Sequence, residues 1–245
     1  MCAQVSLIDT TITEPGVGVI TLARPRKRNA LSIQLRDELA DVLTRWSDDR
    51  AVRVAVLTGS GTTFCAGFDL DEFADASLSR TIADSSRRYH LGVWSFPKPL
   101  IAAINGPALA GGFDLAVLCD LRLASETASF GHPEIKFGAP PLFTPLRWIV
   151  GDGIARELCL TGRHIDAHEA HRIGLANQVV PTDALLSSAV ALAREIIEAP
   201  QYALEATKAY LTGSYDRGFT EAFAVEHDYV FDRYLAGPIG PRATV

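Results

Sequence analysis

The chain has 245 residues, 48% of them hydrophobic and 21% charged, enough to bury a large core and within the range of a single main domain. A formal net charge of −6, a pI near 5.5 and the lack of any long Lys/Arg run leave no basic field of the kind a nucleic-acid partner needs. The start of the sequence has no signal-like basic and apolar pattern, and the most apolar segment, Leu100 to Cys119, is broken by Asn105, Gly106, Pro107 and Asp114. Neither export nor a membrane span is therefore expected.

In chain order, Val17 to Leu22 and Val52 to Leu57 are apolar, β-branched runs that predict strands. Between them Leu35, Leu39, Val42, Leu43 and Trp46 mark one face of a helix, which makes a strand–helix–strand unit. Leu100 to Ile104 predicts a third strand, entered through Pro97-Lys98-Pro99 and left through Asn105-Gly106-Pro107, and Gly111 to Cys119 predicts a buried helix. This pattern implies an α/β fold with parallel strands. From Gly153 onward the signals are helical: Ile154 to Leu160, a turn of helix capped by Asp166, Leu185 to Ile197, Gln201 to Leu211 and Phe219 to Tyr234. The expected division is an α/β core over 1–192 and a helical region over 193–245.

Four cysteines, Cys2, Cys65, Cys119 and Cys159, lack Cys-x-x-Cys spacing. They fit small apolar residues of a reducing, cytoplasmic compartment better than metal ligands or a disulfide frame. His164, His168 and His171 share a spacing that could line a helix face, but their segment has the character of an ordinary surface helix, and no metal site is expected.

Two glycine-bearing segments follow predicted strands and lead toward helices: Gly59 to Leu70, containing Phe64-Cys65-Ala66-Gly67-Phe68-Asp69-Leu70, and Asn105 to Asp114, containing Gly111-Gly112-Phe113-Asp114. Glycine lets backbone approach a ligand closely, and a helix N-terminus leaves N–H groups free for an oxyanion. Neither segment ends in the Gly-Lys-Ser/Thr of a phosphate loop. On glycine content alone, both read first as tight strand-to-helix turns without a ligand.

Together the two segments resemble the signature of the crotonase (enoyl-CoA hydratase/isomerase) family. So do Arg24-Pro25 with Asn29-Ala30-Leu31-Ser32, Phe130-Gly131-His132-Pro133-Glu134-Ile135, Leu160-Thr161-Gly162-Arg163 and Ile173-Gly174-Leu175-Ala176-Asn177. The resemblance implies a spiral of strand–strand–helix units, a C-terminal helical trimerisation region, and assembly as a homotrimer or a dimer of trimers. It implies an acyl-CoA thioester as substrate, with coenzyme A entering as part of it and no separate cofactor. The activity implied is that of an enoyl-CoA hydratase or double-bond isomerase. Alternatives on the same scaffold are hydrolysis of a thioester or carbon–carbon bond, or acyl-CoA binding without catalysis.

Carried over by position, the resemblance implies an oxyanion hole from the N–H groups of Ala66 and Gly111, and acid–base roles for Asp114 and Glu134. It also implies substrate or CoA contacts from Arg26, Lys27, Arg28, Ala30, Phe68, Asp69, Leu70 and His132, and a structural role for Lys208. The chain departs from the usual hydratase at Asp114, where Glu is common; the side chain is one C–C bond, about 1.5 Å, shorter. It departs from dienoyl-CoA isomerases at Leu142, where they carry Asp. Gly138 to Arg147 holds prolines where hydratases have a glycine-rich run, which implies a drier or differently shaped pocket.

Overall fold

The computed structural model describes residues 5–13 and 15–213. β1 (Ile8–Thr13) and β2 (Val17–Leu22) form an antiparallel hairpin. β1 is exposed beyond Ile8 and ends the sheet, whereas β2 is almost wholly buried, as its unbroken apolar run requires. α1 (Ile33–Asp48) starts where the Ser32 side chain accepts from the Leu35 N–H at 3.3 Å, a cap worth about 1 kcal/mol. It returns the chain to β3 (Val54–Gly59), which lies parallel to β2 with Val17 opposite Val54.

After α2 (Leu70–Phe73) and α3 (Ser79–Trp94), β4 (Leu100–Ile104) adds in parallel to β3. The short β5 (Ala108–Leu109) then leads into α4 (Gly111–Leu118), every residue of which is buried. β6 (Leu121–Ser125) and β7 (Ser129–Gly131) follow, then a 3-10 turn over Pro133–Phe137 and α5 (Thr144–Thr161). β8 (Ile165–Asp166), α6 (Ala167–Arg172), β9 (Gln178–Val180), α7 (Leu185–Ile197) and α8 (Gln201–Gly213) complete the described chain.

The main sheet has six strands in the order β1-β2-β3-β4-β6-β9, parallel except at β1; β5, β7 and β8 form a smaller sheet. Alternate residues of the strands feed opposite faces. Val17, Val19, Val54, Val56, Ile101 and Ala103 pack on the Leu185, Ala189, Ala193 and Ile197 stripe of α7. Ile20, Leu22, Ala55, Leu57, Ala102 and Ile104 join the larger core with α1, α3 and α4.

Several sequence expectations shift. The second strand runs over 54–59, two residues later than predicted. α5 spans Thr144–Thr161 but is broken at Gly151 (φ 78°, ψ 161°, non-helical), so the predicted Ile154–Leu160 lies in its second segment and the shorter first segment, with Pro145 in its opening turn, is additional. The C-terminal third is not purely helical, since β9 pairs with β6 and closes the main sheet. α7 runs straight through residue 192 and covers that sheet along its length. A division at 192 would cut one packed helix. The helix predicted over 219–234 lies outside the described residues.

Candidate active site

Asn29 fixes the first glycine segment. Fully buried, it donates from Nδ2 to the carbonyls of Thr63 (2.7 Å), Phe64 (3.2 Å) and Ser60 (3.0 Å), while Oδ1 accepts from the Arg24 N–H at 3.0 Å. The backbone of the segment is then largely consumed. Ala66 donates to the Arg28 carbonyl at 3.0 Å, the Gly67 carbonyl accepts from Leu31 at 2.8 Å, and Asp69 donates to the Leu31 carbonyl at 3.3 Å. The Ala66 N–H is thus already bonded, which corrects its assignment as an oxyanion donor. Phe68, between these bonded positions, is the residue whose N–H has no partner among the described residues.

The Gly111 N–H, expected as the second donor, is unbonded among the described residues. Gly111 is the first residue of α4, so its N–H has no intrahelical acceptor. Ala110 before it sits at φ 51°, ψ −129°, strained for a residue with a Cβ, and its own N–H is tied to the Gly131 carbonyl at 2.9 Å. The two turns touch: a Cβ on Gly67 (φ +95°) would lie 3.3 Å from the Gly111 nitrogen, and a Cβ on Gly111 would lie 2.7 Å from the Phe68 ring. Two unbonded N–H groups therefore adjoin where α4 begins. The signal that could have found Phe68 is Gly67, whose left-handed backbone turns the next N–H away from the strand.

Three residues beyond Gly111, close to one turn of α4, Asp114 is buried, with 7% of its surface exposed. Glu134 reaches the same place from the 3-10 turn after β7, twenty residues later in sequence. Between them stands His132, wholly buried, its ring 4.6 Å from that of Phe113. His132 Nδ1 is 2.8 Å from Glu134 Oε1, and Nε2 is 3.9 Å from Asp114 Oδ1. Burial, and then the nearby charge of Glu134, push the Asp114 carboxyl well above the usual carboxylate range. Cys159 of α5 is close enough to feel both acids, and burial chiefly pushes its thiol up to about 11.

These three side chains are also the grouping of metal-ligand type found among the described residues, with their donor atoms within 4.8 Å of one another. The His132–Glu134 hydrogen bond and the raised Asp114 suit proton transfer. His164, His168 and His171 are exposed and stand outside the grouping.

Of the residues expected to hold the ligand, Arg26, Lys27 and Arg28 lie exposed on one loop, with Lys27 paired to Asp71 at 2.8 Å. The Ala30 carbonyl accepts from Arg24 at 3.1 Å. Asp69 is buried, pairs with Arg24 and caps α2, which gives it a structural task. Phe68 packs against Phe73 and Tyr89 with the Arg36 guanidinium 4.6 Å from its ring, while Leu70 projects outward, 79% exposed. A cavity of about 470 Å³ lies elsewhere, lined by Trp94, Trp148, Ile196, Leu204 and Lys208, and includes neither acid.

A pair of free N–H groups beside one buried and one half-buried carboxylate can stabilise an oxyanion while protons move. The enoyl-CoA hydratase/isomerase family model matches residues 13–234, and the chain belongs to that family, with a crotonase fold. It is 37% identical over 211 residues to the 2,3-dehydroadipyl-CoA hydratase of Escherichia coli, covering 85% of this chain and 83% of that one. An enoyl-CoA hydratase structure from Bacillus anthracis superposes with a TM-score of 0.89 at 34% identity, covering 94% and 92% of the two chains. A Thermobifida fusca structure in complex with CoA superposes with a TM-score of 0.84 at 34% identity, covering 94% of each chain. No helix among the described residues is long and apolar enough to cross a membrane.

Proposed function

We propose that the protein acts on an enoyl-CoA thioester, moving protons at the acyl carbons while the thioester oxygen, negative in the enolate, rests on the N–H groups of Phe68 and Gly111. The observation that carries this reading is the convergence of Asp114 and Glu134 one helical turn from the Gly111 N–H. Each oxyanion donor of this kind contributes about 3–4 kcal/mol to the transition state, and the positive end of α4 adds to the second. Two like carboxylates held close do not both ionise readily, so the buried Asp114 serves as the acid and Glu134 as the base.

Exposed Arg26, Lys27 and Arg28 supply cations for the phosphates of the CoA moiety. That a related Thermobifida fusca protein was crystallised with CoA supports this part of the reading. The buried free thiols of Cys65, Cys119 and Cys159 suit a cytoplasmic location, and a homotrimer or dimer of trimers is the assembly we assign from the family resemblance. Incubation with crotonyl-CoA, a 3-enoyl-CoA and a β-keto acyl-CoA, followed by mass analysis of the products, tests the reaction. Hydration or double-bond migration is expected, and cleavage of the thioester or of a carbon–carbon bond would overturn it.

A further inference from the structure

Two buried polar atoms at the site have no hydrogen-bond partner, Glu134 Oε2 and His132 Nε2. An orphaned buried group costs about 1–3 kcal/mol, so two of them beside an acid pair call for a reason. The ring between the carboxylates is held from several sides. Pro133 stiffens the chain after it, the Phe113 ring lies against it, and Nδ1 meets Glu134 Oε1 at 2.8 Å. A carboxylate can only accept, so Nδ1 carries a proton, and in the tautomer with a single proton Nε2 is left as a lone pair. That lone pair faces Asp114 Oδ1 across 3.9 Å, and an approach of ~1 Å makes it the acceptor for a protonated Asp114.

We propose that His132 is a positioning residue for this proton chemistry: its Nδ1–H holds Oε1 of Glu134, leaving Oε2 as the oxygen that exchanges a proton with substrate, while its Nε2 faces Asp114 from the other side of the ring. The inference rests on the proposed function and deepens it, because it fixes which carboxylate begins the reaction. Glu134 Oε2 takes a proton from a carbon next to the thioester. The C–H bond breaks, an O–H bond forms, and the electron pair passes to the thioester oxygen held by the two N–H groups. An acyl-CoA with an acidic C–H, such as a 3-enoyl-CoA, isolates this proton transfer and is the probe for it.

The test compares His132→Leu, of similar bulk and without hydrogen-bonding atoms, with His132→Gln, which keeps one donor and one acceptor. Melting curves establish that each variant folds. With a 3-enoyl-CoA, His132→Leu is expected to lose roughly 100-fold or more in kcat with KM changed less than about threefold, the pattern of an interaction used only in the transition state. His132→Gln is expected to recover at least a tenth of the native kcat. Without substrate, ring-nitrogen NMR of the unaltered protein should show the His132 proton on Nδ1, identified by its loss in His132→Gln. Native kcat in a folded His132→Leu, no recovery in a folded His132→Gln, or a proton on Nε2 instead would each overturn the inference. Failure of the unaltered chain to turn over any enoyl-CoA would count against the proposed function, while the NMR result still decides the bridge.

Discussion

Gly67 approaches Ala110 so closely that a Cβ added to it would stand 2.8 Å from the Ala110 Cβ and 3.0 Å from the Leu109 carbonyl oxygen. This contact brings the two glycine turns together and sets the spacing between the Phe68 and Gly111 N–H groups. Gly67→Ala adds that methyl at φ +95°, where a side chain is strained as well. The turns must part, and a misplacement of ~1 Å costs about 100-fold in rate. Steady-state kinetics should show kcat reduced by about that factor, with CoA still raising the melting temperature of the variant. Native kcat in Gly67→Ala would remove the Phe68–Gly111 pair from the mechanism.

The raised Asp114 has a consequence for stability. For a carboxyl whose folded pKa lies above the unfolded value of 3.8, the folded chain holds a proton that the unfolded chain has lost. Stability therefore declines as pH rises from 3.8 to the folded pKa and is level beyond it. Asp114→Asn removes the titration. Each pKa unit is about 1.4 kcal/mol and each kcal/mol about 2–4 °C in a chain of this size, so the variant should melt several degrees higher at pH 8. The gain should shrink toward pH 4. An equal difference at both pH values would show that burial of a charge is not its source.

What the sequence disclosed, and what it hid, follow from where the information lies. β2 and β4 were legible because buried parallel strands are nearly continuous apolar runs. α3 was hidden because a mostly polar segment shows its core only through Ile82, Tyr89 and Val93. β9 is three residues long and half exposed, and its strand character comes from β6 beside it. Asp114 and Glu134 were legible as side chains within motifs. The free N–H on the first glycine turn is that of Phe68 and not of Ala66, two residues earlier, and the sequence does not show this because backbone donors are distinguished by which of them neighbouring carbonyls already occupy. That occupancy, here the Arg28 carbonyl on Ala66, is a product of the folded loop.

Lys208 reaches back across 88 positions to the Asp120 carboxylate, whose other oxygen accepts from the Leu100 N–H at 2.8 Å. The pair ties α8 to the entrance of β4. With the Lys208 side chain only 5% exposed, removing one partner leaves the other uncompensated, which costs about 3–5 kcal/mol for buried pairs. Lys208→Met should destabilise by roughly that amount. Adding Asp120→Asn should restore part of it, a coupling readable from a double-mutant cycle by denaturant unfolding. Additive losses would show that the two residues act independently.

His90 gives the acid limit of stability near the site. Its Nδ1 is 2.9 Å from the Ser86 carbonyl and must donate to it, so Nε2 accepts from the Tyr89 hydroxyl at 2.8 Å. Burial lowers its pKa from 6.5 to about 4, against the opposing Ser86 hydrogen bond and with the help of the Arg36 charge. Between those values the unfolded chain takes up a proton that the folded chain refuses, so stability is lost as pH falls from 6.5 and the loss is complete near 4. The difference of 2.5 units corresponds to about 3 kcal/mol. His90→Gln can still donate to Ser86 and accept from Tyr89, but does not titrate. Its stability, followed by thermal unfolding from pH 7 to pH 4, should fall less steeply than that of the native chain by roughly that amount. Because Phe68 packs against both His90 and Tyr89, protonation of His90 should also loosen the first oxyanion turn. Native activity should therefore decline over the same acid range more than that of His90→Gln. Parallel stability curves for the two proteins would show that another group sets the acid limit.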